Sequence, residues 1–267
     1  MQKLAWFTDI HLNFLKGEGL SAFLQKISQG SPDAILIGGD IAEAPSLERH
    51  LKMMKNHVES PIYFVLGNHD FYHGSITHIR SRIEKLSKEI KGLHWLGLDM
   101  IVEITPDIAL VGYDGWSDGR LGNYALSPVM LNDYVLIKEL ASLNKKERLR
   151  KLNELGDEAA VHAKKVLQVA CERHQKIICL THVPPFKEAC WHEGKISDDN
   201  WLPHFTNKAA GDVLKEVMVK NQHCSLTVLC GHTHGAGYAK ILPNLEVKTG
   251  GSVYGYPRIQ ELIIISQ

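Results

Sequence analysis

Gly67-Asn68-His69-Asp70 follows an apolar run from Ile62 to Leu66, and the reading of this stretch decides the fold. The apolar run reads as a buried strand, and the four residues behind it as the loop at that strand's C-terminal end. A glycine lets the backbone turn sharply without a Cβ clash, and it crowds an amide, an imidazole and a carboxylate together. An ordinary strand-to-helix turn uses the same letters. The chemistry therefore rests on how the other strands end.

Working outward, they end alike. Lys3 to Phe7 reads as a strand that delivers Asp9 and His11, two positions apart. An extended backbone would put both side chains on one face, where an acid and an imidazole can share an ion. A helix from about Glu18 to Gln29 leads to a strand, Ala34 to Ile37, that ends in Gly38-Gly39-Asp40. Glycines before a carboxylate permit the close backbone approach needed by a residue that reaches two ions. Lys176 to Leu180 runs into His182, and Leu226 to Cys230 into Gly231-His232-Thr233-His234-Gly235. In open α/β sheets ligands bind beyond the carboxyl ends of strands, so Asp9, His11, Asp40, Asn68, His69, Asp70, His182, His232 and His234 describe one site.

The intervening chain gives helices at about Ser46 to Asn56, Ser75 to Ile90 and Asn207 to Lys220. Leu93 to Leu96, Met100 to Ile104 and Ile108 to Gly112 are spaced like an antiparallel meander, and βαβ units followed by a meander make a mixed sheet. Residues 113–156, poor in periodicity and then highly charged, read as a helical insertion or cap, followed by a helix from about Asp157 to His174. Residues 186–206 read as an ordered functional loop rich in Trp, His and Pro. Tyr238 to Ile241, Leu245 to Lys248 and Ile259 to Ile265 complete the strands. Among the remaining histidines, His73, His192 and His204 are the candidates for substrate contact. Trp116, Trp191 and Trp201 are candidates for stacking on an aromatic group.

Composition narrows the class. The chain has 267 residues and is 44% hydrophobic, enough for a single large α/β domain over 1–267. Thirty basic and thirty acidic residues cancel, so no global field draws it to long nucleic acid or an anionic membrane. No apolar run reaches the roughly 20 residues that span a bilayer, and the N-terminus reads as a strand with no signal peptide, so a cytoplasmic protein is expected. Five cysteines without a C-x-x-C pair are expected to be reduced.

Taken together, Asp9-x-His11, Gly39-Asp40, Gly67-Asn68-His69-Asp70, His182 and Gly231-His232-x-His234 resemble the motifs of the calcineurin-like metallophosphoesterases. The resemblance runs from Asp9 to His234 and implies a four-layer αββα sandwich with two mixed sheets and a dinuclear metal centre. By matched position, Asp9, His11 and His234 would hold one ion, Asn68, His182 and His232 the other, and Asp40 would bridge them. His69 would be free of metal and approach the leaving-group oxygen, with Asp70 steadying its imidazole.

The chemistry supports this allocation. Two divalent ions can clamp a phosphate and lower the pKa of a bridging water, so that hydroxide exists near neutral pH. They bring four positive charges; Asp9 and Asp40 remove two and a hydroxide one, which leaves the site positive and suited to an anion. A carboxylate at Asn68 would cancel that charge. Mixed nitrogen and oxygen ligands suit Mn, Fe, Zn or Co, divalent or trivalent, better than Mg or Ca. A departing alkoxide needs a proton, and an imidazole can supply one as general acid.

Gly39-Asp40-Ile41-Ala42-Glu43 lacks the arginine that the related protein phosphatases carry in an Asp-Arg-Gly run. The Asp-x-His-Leu start resembles the bacterial phosphodiesterase branch instead. A hydrolase of small phosphodiesters or phosphomonoesters is expected. The alternative is a non-catalytic member of the same fold acting as a protein-binding scaffold.

Overall fold

The computed structural model describes residues 1–265; the last two positions of the single domain expected from the sequence lie outside them. In chain order the first half comprises β1 (Gln2–Phe7), α1 (Glu18–Gly30), β2 (Ala34–Gly38), α2 (Leu47–His57), β3 (Ile62–Val65), α3 (Ile76–Glu89) and β4 (Leu93–Trp95). Then follow β5 (Val102–Thr105), β6 (Ile108–Gly112), α4 (Asp133–Leu136), α5 (Lys138–Ala141), α6 (Lys145–Arg173) and β7 (Lys176–Leu180). The chain closes with β8 (Trp191–His192), β9 (Lys195–Ile196), α7 (Leu202–Phe205), α8 (Lys208–Lys220), β10 (Ser225–Cys230), β11 (Gly237–Leu242), β12 (Leu245–Thr249) and β13 (Glu261–Ile265).

Two mixed sheets face each other. The first has the order β13-β1-β2-β3-β4, parallel except for β13. The second has the order β11-β12-β10-β7-β6-β5, parallel at its centre and antiparallel at both edges. The apolar runs follow from burial on both faces. In β1 and β2, Leu4, Trp6, Ala34 and Leu36 point into a core shared with Leu110, Ile178, Leu180 and Leu229 of the other sheet. Their neighbours Ala5, Phe7, Ile35 and Ile37 point the other way, against Phe23, Leu24, Leu51 and Ile83 of α1–α3. Ile177 and Cys179 of β7 and Val228 of β10 likewise meet Val166, Leu167 and Leu214 of α6 and α8. Helices, sheet, sheet, helices are the expected four layers.

Two local expectations are corrected. Leu93–Trp95 is not the first arm of a meander: it runs parallel to β3 and ends the first sheet, with only β5 and β6 antiparallel. The preceding helix α3 makes β3-α3-β4 a crossover unit, whose strands must be parallel. Nor does a helix begin near Asp157: α6 runs unbroken from Lys145, started by a capping box between Asn144 and Glu147. Gly156 lies inside it without ending it. Its missing Cβ leaves room for Asp118 Cβ, which a Cβ there would approach to 2.5 Å. Among the described residues no helix is long and apolar enough to cross a membrane.

Candidate metal centre

Every sequence-predicted ligand sits just beyond the C-terminal end of a strand: Asp9 and His11 after β1, Asp40 after β2, Asn68 after β3, His182 after β7, His232 and His234 after β10. The first three segments belong to one sheet and the last two to the other, so the site straddles the sandwich. The ligand atoms gather in two groups. In the first, those of Asp9, His11, Asp40 and His234 all lie within 4.8 Å of one another. His11 Nε2 is 3.1 Å from His234 Nε2, and His234 Nε2 is 3.4 Å from Asp9 Oδ1.

In the second group, Asn68 Oδ1 is 3.0 Å from His182 Nε2 and 2.9 Å from His232 Nδ1, and the two ring nitrogens are 3.3 Å apart. Asp40 belongs to both. Its Oδ2 is 3.8 Å from His11 Nε2, and its Oδ1 is 3.3 Å from His182 Nε2.

Surrounding hydrogen bonds fix which atoms face inward. His182 Nδ1 donates to the Gly38 carbonyl at 2.8 Å and His232 Nε2 to the His204 carbonyl at 3.0 Å. Each ring thereby turns its other nitrogen to the centre. Asn68 Nδ2 donates to Asp133 Oδ1 at 2.9 Å and to the Tyr72 hydroxyl oxygen at 3.2 Å, which aims Oδ1 inward. Four ligand atoms of the second group therefore converge with at most one proton among them. Converging buried lone pairs need a cation, and these nitrogen and oxygen donors fit a transition metal.

Electrostatics agree. Burial alone would raise the Asp9 carboxyl, but the His234 hydrogen bond and the His182 charge outweigh it and hold it at about 2. Burial pushes His11 down to about 4; burial and the His182 charge do the same to His232. Burial also opposes a proton on His182, yet the Asp40 carboxylate prevails and carries that imidazole up to about 10. An ion seated between them would displace this proton.

The backbone is left-handed at five of the seven predicted ligands: Asp9, His11, Asp40, His232 and His234 have φ between 41° and 70°. Non-glycine residues in that region cost about 1 to 3 kcal/mol each and persist only where the surroundings impose them. The extended geometry expected for Asp9 and His11 is thus not what brings them together; a tight loop does. Gly67 is corrected too. It has no positive φ, and its role is close approach, because a Cβ there would run into Asp40 Oδ1 and lie 2.6 Å from the Asp40 nitrogen.

His69 lies at the edge of the first group, with Nε2 3.9 Å from Asp40 Oδ2 and its ring stacked on Tyr72 at 4.2 Å. Asp70 is placed elsewhere than expected. Its Oδ1 accepts from the amides of Ile41 and Ala42, and its Oδ2 from that of Gly67, at 2.8 to 3.0 Å. None of its hydrogen bonds goes to the His69 ring, and His69 Nδ1 is enclosed without a partner among the described residues.

A cavity of about 230 Å³ opens on the site. Its walls include Leu131 and Asp133, from the segment read as an insertion, and His192 and Phe205, from the loop before α8. Tyr72 and Tyr254 complete them. Tyr254 packs its ring 4.6 Å from that of His11. Of the weaker candidates, His192 lines the cavity. His204 contributes a carbonyl, while its ring is held by Tyr134 and Ser127. His73 faces Glu43 outside the cavity. Trp116 is core, packed on Phe71, whereas Trp201 stacks on Phe205 behind the wall. Asp133 and Tyr254 escaped the sequence reading; neither stands in a motif. Burial raises the Asp133 carboxyl, and the Tyr72 and Asn68 donors work against that.

Two groups of candidate donors, joined by one carboxylate, thus sit at the strand ends of an αββα sandwich. The sequence model of the calcineurin-like phosphoesterase family matches residues 2–236, and the chain belongs to that family. Among solved structures it is similar to the phosphopantetheinyl hydrolase of Mycobacterium tuberculosis, at 12% identity and a TM-score of 0.66, covering 99% of this chain and 96% of that one. A dimetal phosphatase from Danio rerio is similar at 15% identity and a TM-score of 0.58, covering 96% and 89%. GAP50, the anchor in the inner membrane complex of Plasmodium, shares the fold at 14% identity and a TM-score of 0.52, covering 94% and 71%. No curated protein matches the chain in sequence.

Proposed function

We propose that the protein hydrolyses a small phosphate ester at a dinuclear centre, with Asp9, His11 and His234 on one ion, Asn68, His182 and His232 on the other, and Asp40 between them. The observation that carries this reading is the division of Asp40, one oxygen toward each group. Two transition-metal ions, of Mn, Fe, Zn or Co type, would supply Lewis acidity and lower the pKa of a water. The chain's own contribution is positional. The strand ends of both sheets hold the donors, Asn68 adds a ligand without adding charge, and the outer hydrogen bonds set the tautomers of His182 and His232.

His69 is assigned the proton transfer to the leaving oxygen. It lines the cavity, lies beside Asp40, and donates no hydrogen bond that would tie up its ring. Asp70 we assign to holding the loop that carries Asn68 and His69, because its hydrogen bonds all go to backbone amides. The segment 113–156 is, in this reading, part of the one domain and supplies a wall of the substrate cavity.

Metal analysis combined with assays on para-nitrophenyl phosphate, bis(para-nitrophenyl) phosphate and a nucleotide panel tests the proposal. Two ions per chain with ester hydrolysis are expected. A metal-loaded protein inert toward all of these would leave the scaffold reading in its place.

A further inference from the structure

The cavity contains a carboxylate that the ligand set does not use. Asp133, the first residue of α4, is 2% exposed yet lines the cavity. Its Oδ1 accepts from Asn68 Nδ2 at 2.9 Å and from the Tyr72 hydroxyl at 2.7 Å. The two donors on that oxygen favour the ionised form of the carboxyl and work against the burial that raises it. Its Oδ2 takes no hydrogen bond from a described residue and is not among the fully enclosed orphan atoms, so it opens on the cavity. No lysine or arginine among the described residues lines that cavity.

This changes the charge balance at the phosphate. Two divalent ions held by Asp9 and Asp40 would leave a positive centre, and Asp133 would reduce it from one amide group away. A phosphodiester carries a single negative charge, whereas a phosphomonoester near neutral pH carries nearly two. The cavity has no lysine or arginine among the described residues to take up the second. Unit charges several ångströms apart interact appreciably at a partly buried site, by about tenfold in affinity or more.

We propose that Asp133 is a specificity-determining residue that turns the site toward monoanionic phosphodiesters and against dianionic phosphomonoesters, an inference that rests on the phosphoesterase reading above. The carboxylate acts by its charge on the substrate. Its hydrogen bonds to Asn68 and Tyr72 are the means by which it is held there.

Asp133→Asn keeps an acceptor for both donors and deletes the charge. Metal-loaded wild type and D133N would be compared on bis(para-nitrophenyl) phosphate and para-nitrophenyl phosphate, with metal content determined and inorganic phosphate binding measured by calorimetry. At two ions per chain, D133N is expected to raise kcat/KM for the monoester relative to the diester by about tenfold, and to tighten phosphate binding by a similar factor. An unchanged ratio and unchanged phosphate affinity overturn the proposal. Should D133N lose ions, both variants are measured at saturating metal beside Tyr72→Phe, which removes a donor and keeps the charge. A shift in D133N that Y72F does not share supports the proposal; the same shift in Y72F assigns it to the hydrogen-bond network and overturns it. Wild-type protein inert toward both esters would remove the phosphoesterase reading instead, and phosphate affinity would still report whether Asp133 repels a dianion.

Discussion

His182, after β7 of one sheet, donates from Nδ1 to the carbonyl of Gly38, the last residue of β2 in the other sheet, at 2.8 Å. The bond selects the tautomer that leaves Nε2 for an ion, and it ties the sheets together beside the site. His182→Ala removes a ligand and the nearer of two donors to a buried carbonyl, the other being the Thr8 hydroxyl at 3.1 Å. Metal content should fall from two ions toward one per chain, and urea unfolding should show a loss of about 1 to 3 kcal/mol. Retention of both ions would remove His182 from the ligand set.

His69→Ala should keep both ions and lower turnover by ~10² to 10⁴, the usual scale of general acid catalysis. The loss should be smaller on para-nitrophenyl esters, whose leaving group departs with little help, than on alkyl esters. Kinetics on both ester types with parallel metal analysis check this. Metal lost together with activity would make His69 a ligand.

Asp70→Asn would turn an NH2 group toward at least one of three backbone amides that now donate to the carboxylate. A stability loss of about 2 kcal/mol is expected in urea unfolding, on the scale of a buried donor left without its acceptor. The pH dependence of turnover should keep its shape, since Asp70 makes no hydrogen bond to the His69 ring. A shifted profile at unchanged stability would restore Asp70 as the support of that imidazole.

His204 gives a pH dependence of stability. Burial, aided by the charges of Arg148 and Lys145, holds its imidazole at about 4, below the ordinary 6.5. Between these values the unfolded chain binds the proton and the folded chain does not. Its contribution is therefore complete above about pH 6.5 and lost as pH falls toward 4, by up to about 3 kcal/mol. His11 and His232 titrate in the same window. The measurement is consequently a difference: His204→Gln should flatten the slope of stability against pH relative to wild type, and an equal slope would refute the assignment.

The site was legible because its donors are short-range in sequence. Asp9 and His11, or His232 and His234, stand together and directly after an apolar run, so strand ends alone collect them. What holds the donors is long-range. Asn68 and Asp133 are 65 positions apart and His232 and His204 are 28, and no local pattern announces either bond. The resemblance pairs Asp70 with His69, whereas a tight loop turns its carboxyl to the backbone amides of Ile41, Ala42 and Gly67. Leu93–Trp95 looks the same whichever sheet it joins, and only the helix before it decides. Gly156 looks like a stop, and packing on Asp118 makes it a contact.

The donors come from strand ends, whereas Leu131, Asp133, His192 and Phe205 on the cavity wall come from segments outside both large sheets. Exchange of residues 113–132 or 186–206 between relatives would reshape what the cavity admits while the frame of strand ends stays intact. Asn68, bonded to Asp133, and His232, bonded to His204, are the joints where wall and frame touch.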